Sequence, residues 1–178
     1  KEVKEKTKLE IAMEKLNKDF GAGTIVGANK IPMIIESIST GSIALDAAIS
    51  IGGFPRGRIV EITAPESAGK TTLALHVVAN AQKQGITCAF IDMEHALSTA
   101  YARDLEVNID NLLISQPDYG EQAIEIAERL IKTGEVGLII IDSTASLVPK
   151  AELENGTGHP TMAGVGRIMS NALRVLTP

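Results

Sequence analysis

Apolar runs alternate with stretches of helical periodicity over the middle of the chain. Arg58–Thr63, Thr87–Asp92, Leu112–Ser115 and Val136–Asp142 are short, nearly unbroken apolar segments, which predicts strands covered on both faces. Between them the spacing predicts helices over Lys70–Gln84, Thr99–Leu105 and Glu121–Thr133, with Gly85 and Gly134 closing the first and last. Strand and helix in strict alternation predict an α/β fold, a mainly parallel sheet flanked by helices. A further helix is predicted over Met162–Leu176.

Upstream the pattern changes. Leu9, Met13, Leu16 and Phe20 recur at three- and four-residue spacings, predicting a helix over Lys6–Phe20 with one narrow apolar stripe. Glu14 and Lys18 can pair across one turn, and Gly21 and Gly23 stop the helix. The stripe must pack on its own domain or on another subunit. Residues 24–57 are expected to be a connector with short strands at Ile34–Ile35 and Ile38. Ser42 caps a short helix through Ile49, and a turn-rich stretch covers Gly52–Gly57. The chain thus divides into a helix and linker over 1–30 and a core over 31–178.

Composition narrows the classes. The chain has 178 residues, 44% hydrophobic and 22% charged, enough for one domain with a real core. Aromatics are 3% and Trp is absent, so that core is built from Ile, Val, Leu and Ala. A net charge of −5 excludes a generic polybasic nucleic-acid binder. Cys88 is the single cysteine, inside a predicted strand, and reads as a buried structural thiol. The charged start shows no signal peptide and no apolar run approaches the ~20 residues of a membrane span, so a cytoplasmic protein without membrane contact is expected.

The candidate chemistry lies where strands end. Ala64-Pro65-Glu66-Ser67-Ala68-Gly69-Lys70-Thr71 joins the first strand to a helix. A loop of this type cradles nucleotide phosphates in backbone N–H groups at the positive end of a helix. Lys70 reaches for the β- and γ-phosphates, and the Thr71 hydroxyl for Mg²⁺. Ala64 stands where the strict motif has Gly, a variation that P-loops accept. Asp142 ends an apolar strand, as the second Mg²⁺-holding signature of such NTPases does. Asp92 and Glu94 end another strand at the same edge, and either carboxylate is a candidate to activate water. Tyr101 is a candidate to stack on a base. His76 and His95 read as structural, and no residues have zinc-ligand spacing.

These pieces, in this order, resemble the bacterial RecA recombinase family. The resemblance is carried by Ser39-Thr40-Gly41-Ser42, Pro55 through Ile62, Pro65 through His76, Ala89-Phe90-Ile91-Asp92 with Glu94-His95-Ala96-Leu97, Ser115-Gln116-Pro117-Asp118 and Val148 through Glu152. It implies a RecA-like P-loop NTPase fold with an N-terminal oligomerisation helix over 1–30. It implies a DNA-dependent ATPase that uses ATP and Mg²⁺, forms a homo-oligomeric filament on single-stranded DNA and pairs it with double-stranded DNA. Such a filament serves DNA repair and the SOS response, in which it promotes self-cleavage of a LexA-type repressor. By resemblance Glu94 activates water, with Lys70 as catalytic partner. Glu66, Ser67, Ala68, Gly69, Lys70, Thr71 and Thr72 hold the phosphates, Tyr101 stacks on adenine, and Thr71 and Asp142 hold Mg²⁺. Residues near Asn155–Met162 match the first DNA-binding loop, and Met162, Arg167, Ser170 and Arg174 face the single strand. Arg167 and Arg174, seven apart, share one helix face.

Three features depart from the family. Gly158-His159-Pro160-Thr161 replaces Gly-Asp-Ser-His in the DNA loop, and Ser98 stands where an Asp is usual near adenine. Family members also continue past this length, with another core strand between the P-loop strand and the strand of Asp142. Without it those two strands lack a partner between them. The alternatives are another RecA-fold motor, RadA-like or a helicase, and a truncated assembly module without turnover.

Overall fold

The structure, a computed structural model, describes residues 6–30, 35–155 and 164–176. It divides into two compact units, Lys1–Ile35 and Glu36–Pro178.

The first unit is built on α1, Lys8–Phe20. Thr7 caps it in a reciprocal box. The Glu10 N–H donates to Thr7 Oγ1 at 3.2 Å, and the Thr7 N–H donates to Glu10 Oε2 at 2.7 Å. Gly21 ends it at φ 109°. Asn17 then clasps the following chain, accepting from the Ile25 N–H and donating to its carbonyl. Within its own unit α1 buries no residue.

The second unit opens with a two-stranded antiparallel ribbon of β1, Ser37–Ile38, and β2, Phe54–Pro55, around α2, Ile43–Ile49. Ser42 caps α2 as expected. The stretch read as turn therefore contains a strand, because the Phe54–Pro55 backbone finds a partner in β1. Ile35 lies outside any strand, and Ile34 lies outside the described residues.

The core sheet has three parallel strands in the order β4-β3-β5: β3 is Thr87–Asp92, β4 Leu112–Ser115 and β5 Val136–Asp142. All three run as predicted. Around them lie α3 (Lys70–Lys83), α4 (Thr99–Asp104), α5 (Gly120–Thr133), α6 (Lys150–Asn155) and α7 (Gly164–Leu176). Side-chain alternation along β3 feeds two cores. Cys88 and Phe90 pack with Leu75 and Val78 of α3, while Ile91 packs with Ala123 and Ala127 of α5 and Ala172 of α7. Full burial on both faces holds only for this central strand. Leu113 and Ile114 of the edge strand β4 are exposed, and β5 is only part-covered. Among the described residues no helix is long and apolar enough to cross a membrane.

One predicted element is corrected. Arg58–Thr63 is not a strand: residues 59–65 lack regular structure and Ile59, Val60 and Ile62 are exposed. A strand exists only where its N–H and C=O groups meet a ladder partner. In the sheet β5 pairs with β3 alone, so this segment, apolar as it is, has none.

Gly53 holds the ribbon together. It is buried at φ 149°, and a Cβ there would lie 2.1 Å from the Ile38 carbonyl oxygen. Gly53→Ala should therefore destabilise the second unit by about 1–3 kcal/mol, the usual penalty of overpacking. Denaturant unfolding midpoints with unchanged slope check it.

Candidate functional site

Parallel pairing decides where the acids lie. Asp92 and Asp142 are register partners at the carboxyl ends of β3 and β5, on the sheet edge where α/β folds bind ligands. The Met93 N–H donates to the Asp142 carbonyl at 2.7 Å, which extends the strand pairing into the following turn.

α3 brings the loop to the same edge. Ser67 (φ 58°) and Gly69 (φ 91°) are both left-handed, so the chain folds sharply before Lys70 starts the helix. Gly69 is the N-cap and provides no side-chain acceptor, and the first turn contains no acid. The helix start thus presents N–H donors and a positive dipole end without an internal anion to satisfy them. Lys70 Nζ bridges the loop mouth, donating to the carbonyls of Ala64 at 3.1 Å and Pro65 at 2.9 Å. Thr71 Oγ1 donates to Asp142 Oδ2 at 2.5 Å. This bond ties the loop's exit to the end of β5.

Tyr101, on α4, stands beside the same helix start: its hydroxyl lies 3.0 Å from Thr72 Oγ1. Ser98 caps α4 by accepting from the Tyr101 N–H at 3.2 Å. Lys70, Thr71, Thr72, Tyr101 and Asp142 are therefore gathered within one neighbourhood, and Glu66, Ser67, Ala68 and Gly69 form the loop that leads into it.

The two candidate carboxylates separate. Glu94 is exposed, and Ser143 Oγ donates to its Oε1 at 2.7 Å. Asp92 is 2% exposed. Burial pushes its carboxyl up, but hydrogen bonds from Gln116, Leu97, Ala96 and Glu94 outweigh that and hold it below its ordinary value. Both oxygens of Asp92 are thus engaged by four donors, whereas Glu94 accepts from Ser143 at the exposed side. Thr71, Asp92, Glu94 and Asp142 line one small cavity of about 40 Å³. Cys88 is inert, with burial pushing its thiol up to about 11.

Arg167, Ser170 and Arg174 share one wall of a groove of about 810 Å³ between α5 and α7. Glu121, Glu125 and Glu128 stand on its other side. Two of these acids are met on their own helix, Glu125 by Arg129 and Glu128 by Lys132. Glu121 accepts from the Lys150 N–H at 3.0 Å. Arg174 donates to Asn171 Oδ1 at 2.8 Å. Met162, His159, Pro160 and Thr161 lie outside the described residues, as does most of the expected DNA loop. Sequence reasoning missed Ser143 and Gln116. Neither belongs to a spacing motif, and only the strand register brings them to the acids.

Comparison with known proteins identifies the family. The model of the RecA N-terminal domain family matches residues 7–178. Protein RecA of Rickettsia bellii (strain RML369-C) is 58% identical over 167 residues, which is 93% of this chain and 49% of that protein. Protein RecA of Rickettsia prowazekii (strain Madrid E) is 57% identical over the same length. Protein RecA of Paramagnetospirillum magneticum is 54% identical over 171 residues. The chain spans about half the length of these curated relatives. It belongs to the RecA N-terminal domain family.

Asp92 gives a pH prediction. Its folded carboxyl sits below the unfolded value, so its stabilisation is fully present above about pH 4 and is lost as the pH falls further. Thermal melts from pH 7 to pH 3 should show Asp92→Asn less stable above pH 4 and the difference narrowing below it.

Proposed function

We propose that this chain binds ATP with Mg²⁺ at the loop 64–71 and hydrolyses it as part of a DNA-dependent recombinase filament. The observation that carries the reading is the convergence of an uncapped helix start, Lys70, and the Thr71–Asp142 pair at one sheet edge. These residues fit a triphosphate. The N–H groups after Gly69 receive anionic oxygens, and Lys70 exchanges two neutral carbonyls for charged phosphates, a stronger partner. The Thr71 hydroxyl and the Asp142 carboxylate are the oxygen donors that a hard dication takes. Bound Mg²⁺ would neutralise charge developing on the phosphates. Tyr101 offers its ring to the adenine. Glu94, oriented by Ser143, takes the proton of the attacking water.

The wider activity follows family membership. The filament binds single-stranded DNA through Arg167, Ser170 and Arg174, with Met162 beside them, and pairs it with homologous double-stranded DNA. Strand exchange in repair, action on a LexA-type repressor in the SOS response and a cytoplasmic site belong to the same proposal. One observation favours a second reading. The segment leading into the phosphate loop has no ladder partner, which suits an assembly module that binds filament ends without turnover.

Three measurements test this. Lys70→Ala should weaken ATP–Mg²⁺ binding by roughly 30- to 100-fold in calorimetry, the usual loss for charge-assisted bonds. Glu94→Gln should bind nucleotide like the parent, yet lose turnover by roughly 100-fold or more, measured with and without single-stranded DNA. Turnover indifferent to DNA would favour a stand-alone motor, and none at all the assembly module. Replacing both Arg167 and Arg174 by Ala should lower the salt slope of single-stranded DNA binding by about 1.4, two phosphate contacts at ~0.7 each.

A further inference from the structure

After β3 the chain turns through residues 93–97, and this turn is folded around one buried side chain. Asp92 Oδ1 accepts from the N–H groups of Glu94 at 3.2 Å and Ala96 at 3.4 Å. Oδ2 accepts from the Leu97 N–H at 3.1 Å and from Gln116 Nε2 at 3.0 Å. Three of these donors belong to the turn itself. The fourth arrives from another strand: Gln116 directly follows β4, the parallel neighbour of β3.

The consequence concerns Glu94. Its own N–H is one of the donors, so its backbone goes where the Asp92 carboxylate goes. The turn's own donors tie the carboxylate only to the turn, so the two could shift together about the last Asp torsion, which is soft. The Gln116 amide removes that freedom by engaging Oδ2 from outside. Gln suits the task, because a neutral donor neither repels the carboxylate, as an acid would, nor adds a full charge beside the expected metal site.

We infer that Gln116 is a positioning residue: by donating to Asp92 it fixes the carboxylate around which the turn 93–97 folds, and so aims Glu94 at the Thr71–Asp142 end of the site. The inference rests on the reading of Glu94 as the group that activates water, and adds to that site a residue that directly follows a third strand.

Gln116→Met keeps the length of the side chain and deletes the donor. Gln116→Glu keeps the shape and places a second carboxylate against Asp92. Gln116 is exposed, so both variants should fold. Amide hydrogen exchange followed by NMR on this chain is expected to quicken at Glu94, Ala96 and Leu97 by roughly three- to tenfold in Gln116→Met, the weight of one ordinary hydrogen bond. It should quicken more in Gln116→Glu, with Cys88 and Phe90 unchanged. The dissociation constant for ATP–Mg²⁺ should stay within about twofold of the parent while kcat falls by roughly three- to tenfold.

Unchanged exchange at the three amides in both variants would overturn the inference. So would nucleotide affinity falling as far as kcat, since that marks general loosening of the site. If the parent chain does not turn over ATP, the reading of Glu94 fails by itself, and exchange at the three amides alone decides whether Gln116 holds the turn.

Discussion

Parallel pairing of β3 with β5 is the constraint on which everything else hangs. In a parallel ladder the carboxyl ends of neighbouring strands reach the same edge. That places Asp92 opposite Asp142, although fifty residues of helix and strand separate them in sequence. The Thr71–Asp142 hydrogen bond then draws the start of α3 to this edge. The two acids differ in their surroundings. Asp92 is enclosed by donors from its own turn, whereas Asp142 meets a hydroxyl at the open side of the sheet.

Much of this was legible in the sequence because it depends on local terms. β3, β4 and β5 are short apolar runs between glycines and polar turns, and their limits coincide with the predicted ones. The capping residues Ser42 and Ser98 act through their own next turn, so their spacing is sufficient to see them. The loop 64–71 is also local: its glycine, its lysine and the helix that follows are contiguous.

What was not legible is what depends on neighbours. Arg58–Thr63 has the composition of a buried strand, yet composition cannot supply the ladder partner that makes a strand. Phe54–Pro55 shows the converse, since turn-like residues pair because β1 lies beside them. Gln116 and Ser143 each follow a strand end, and each meets an acid only once the register is set. The choice between Asp92 and Glu94 was open for the same reason. Two residues apart in sequence, they differ by burial and donor count, which only the folded turn creates.

Support for the loop 64–71 is therefore one-sided. Its exit is anchored by α3, whose Leu75 and Val78 lie in the core beneath β3, and by Thr71 on Asp142. Its entrance lacks regular structure and exposes Ile59, Val60 and Ile62. Between the two, Lys70 stitches the loop closed on its own carbonyls. The same lysine is the one that the phosphates would recruit, so occupying the site must release the stitch that holds the entrance. The loop's shape then rests on the charged ligand and on the helix start behind it. On the proposed reading, nucleotide binding is therefore coupled to the order of the segment that enters the loop.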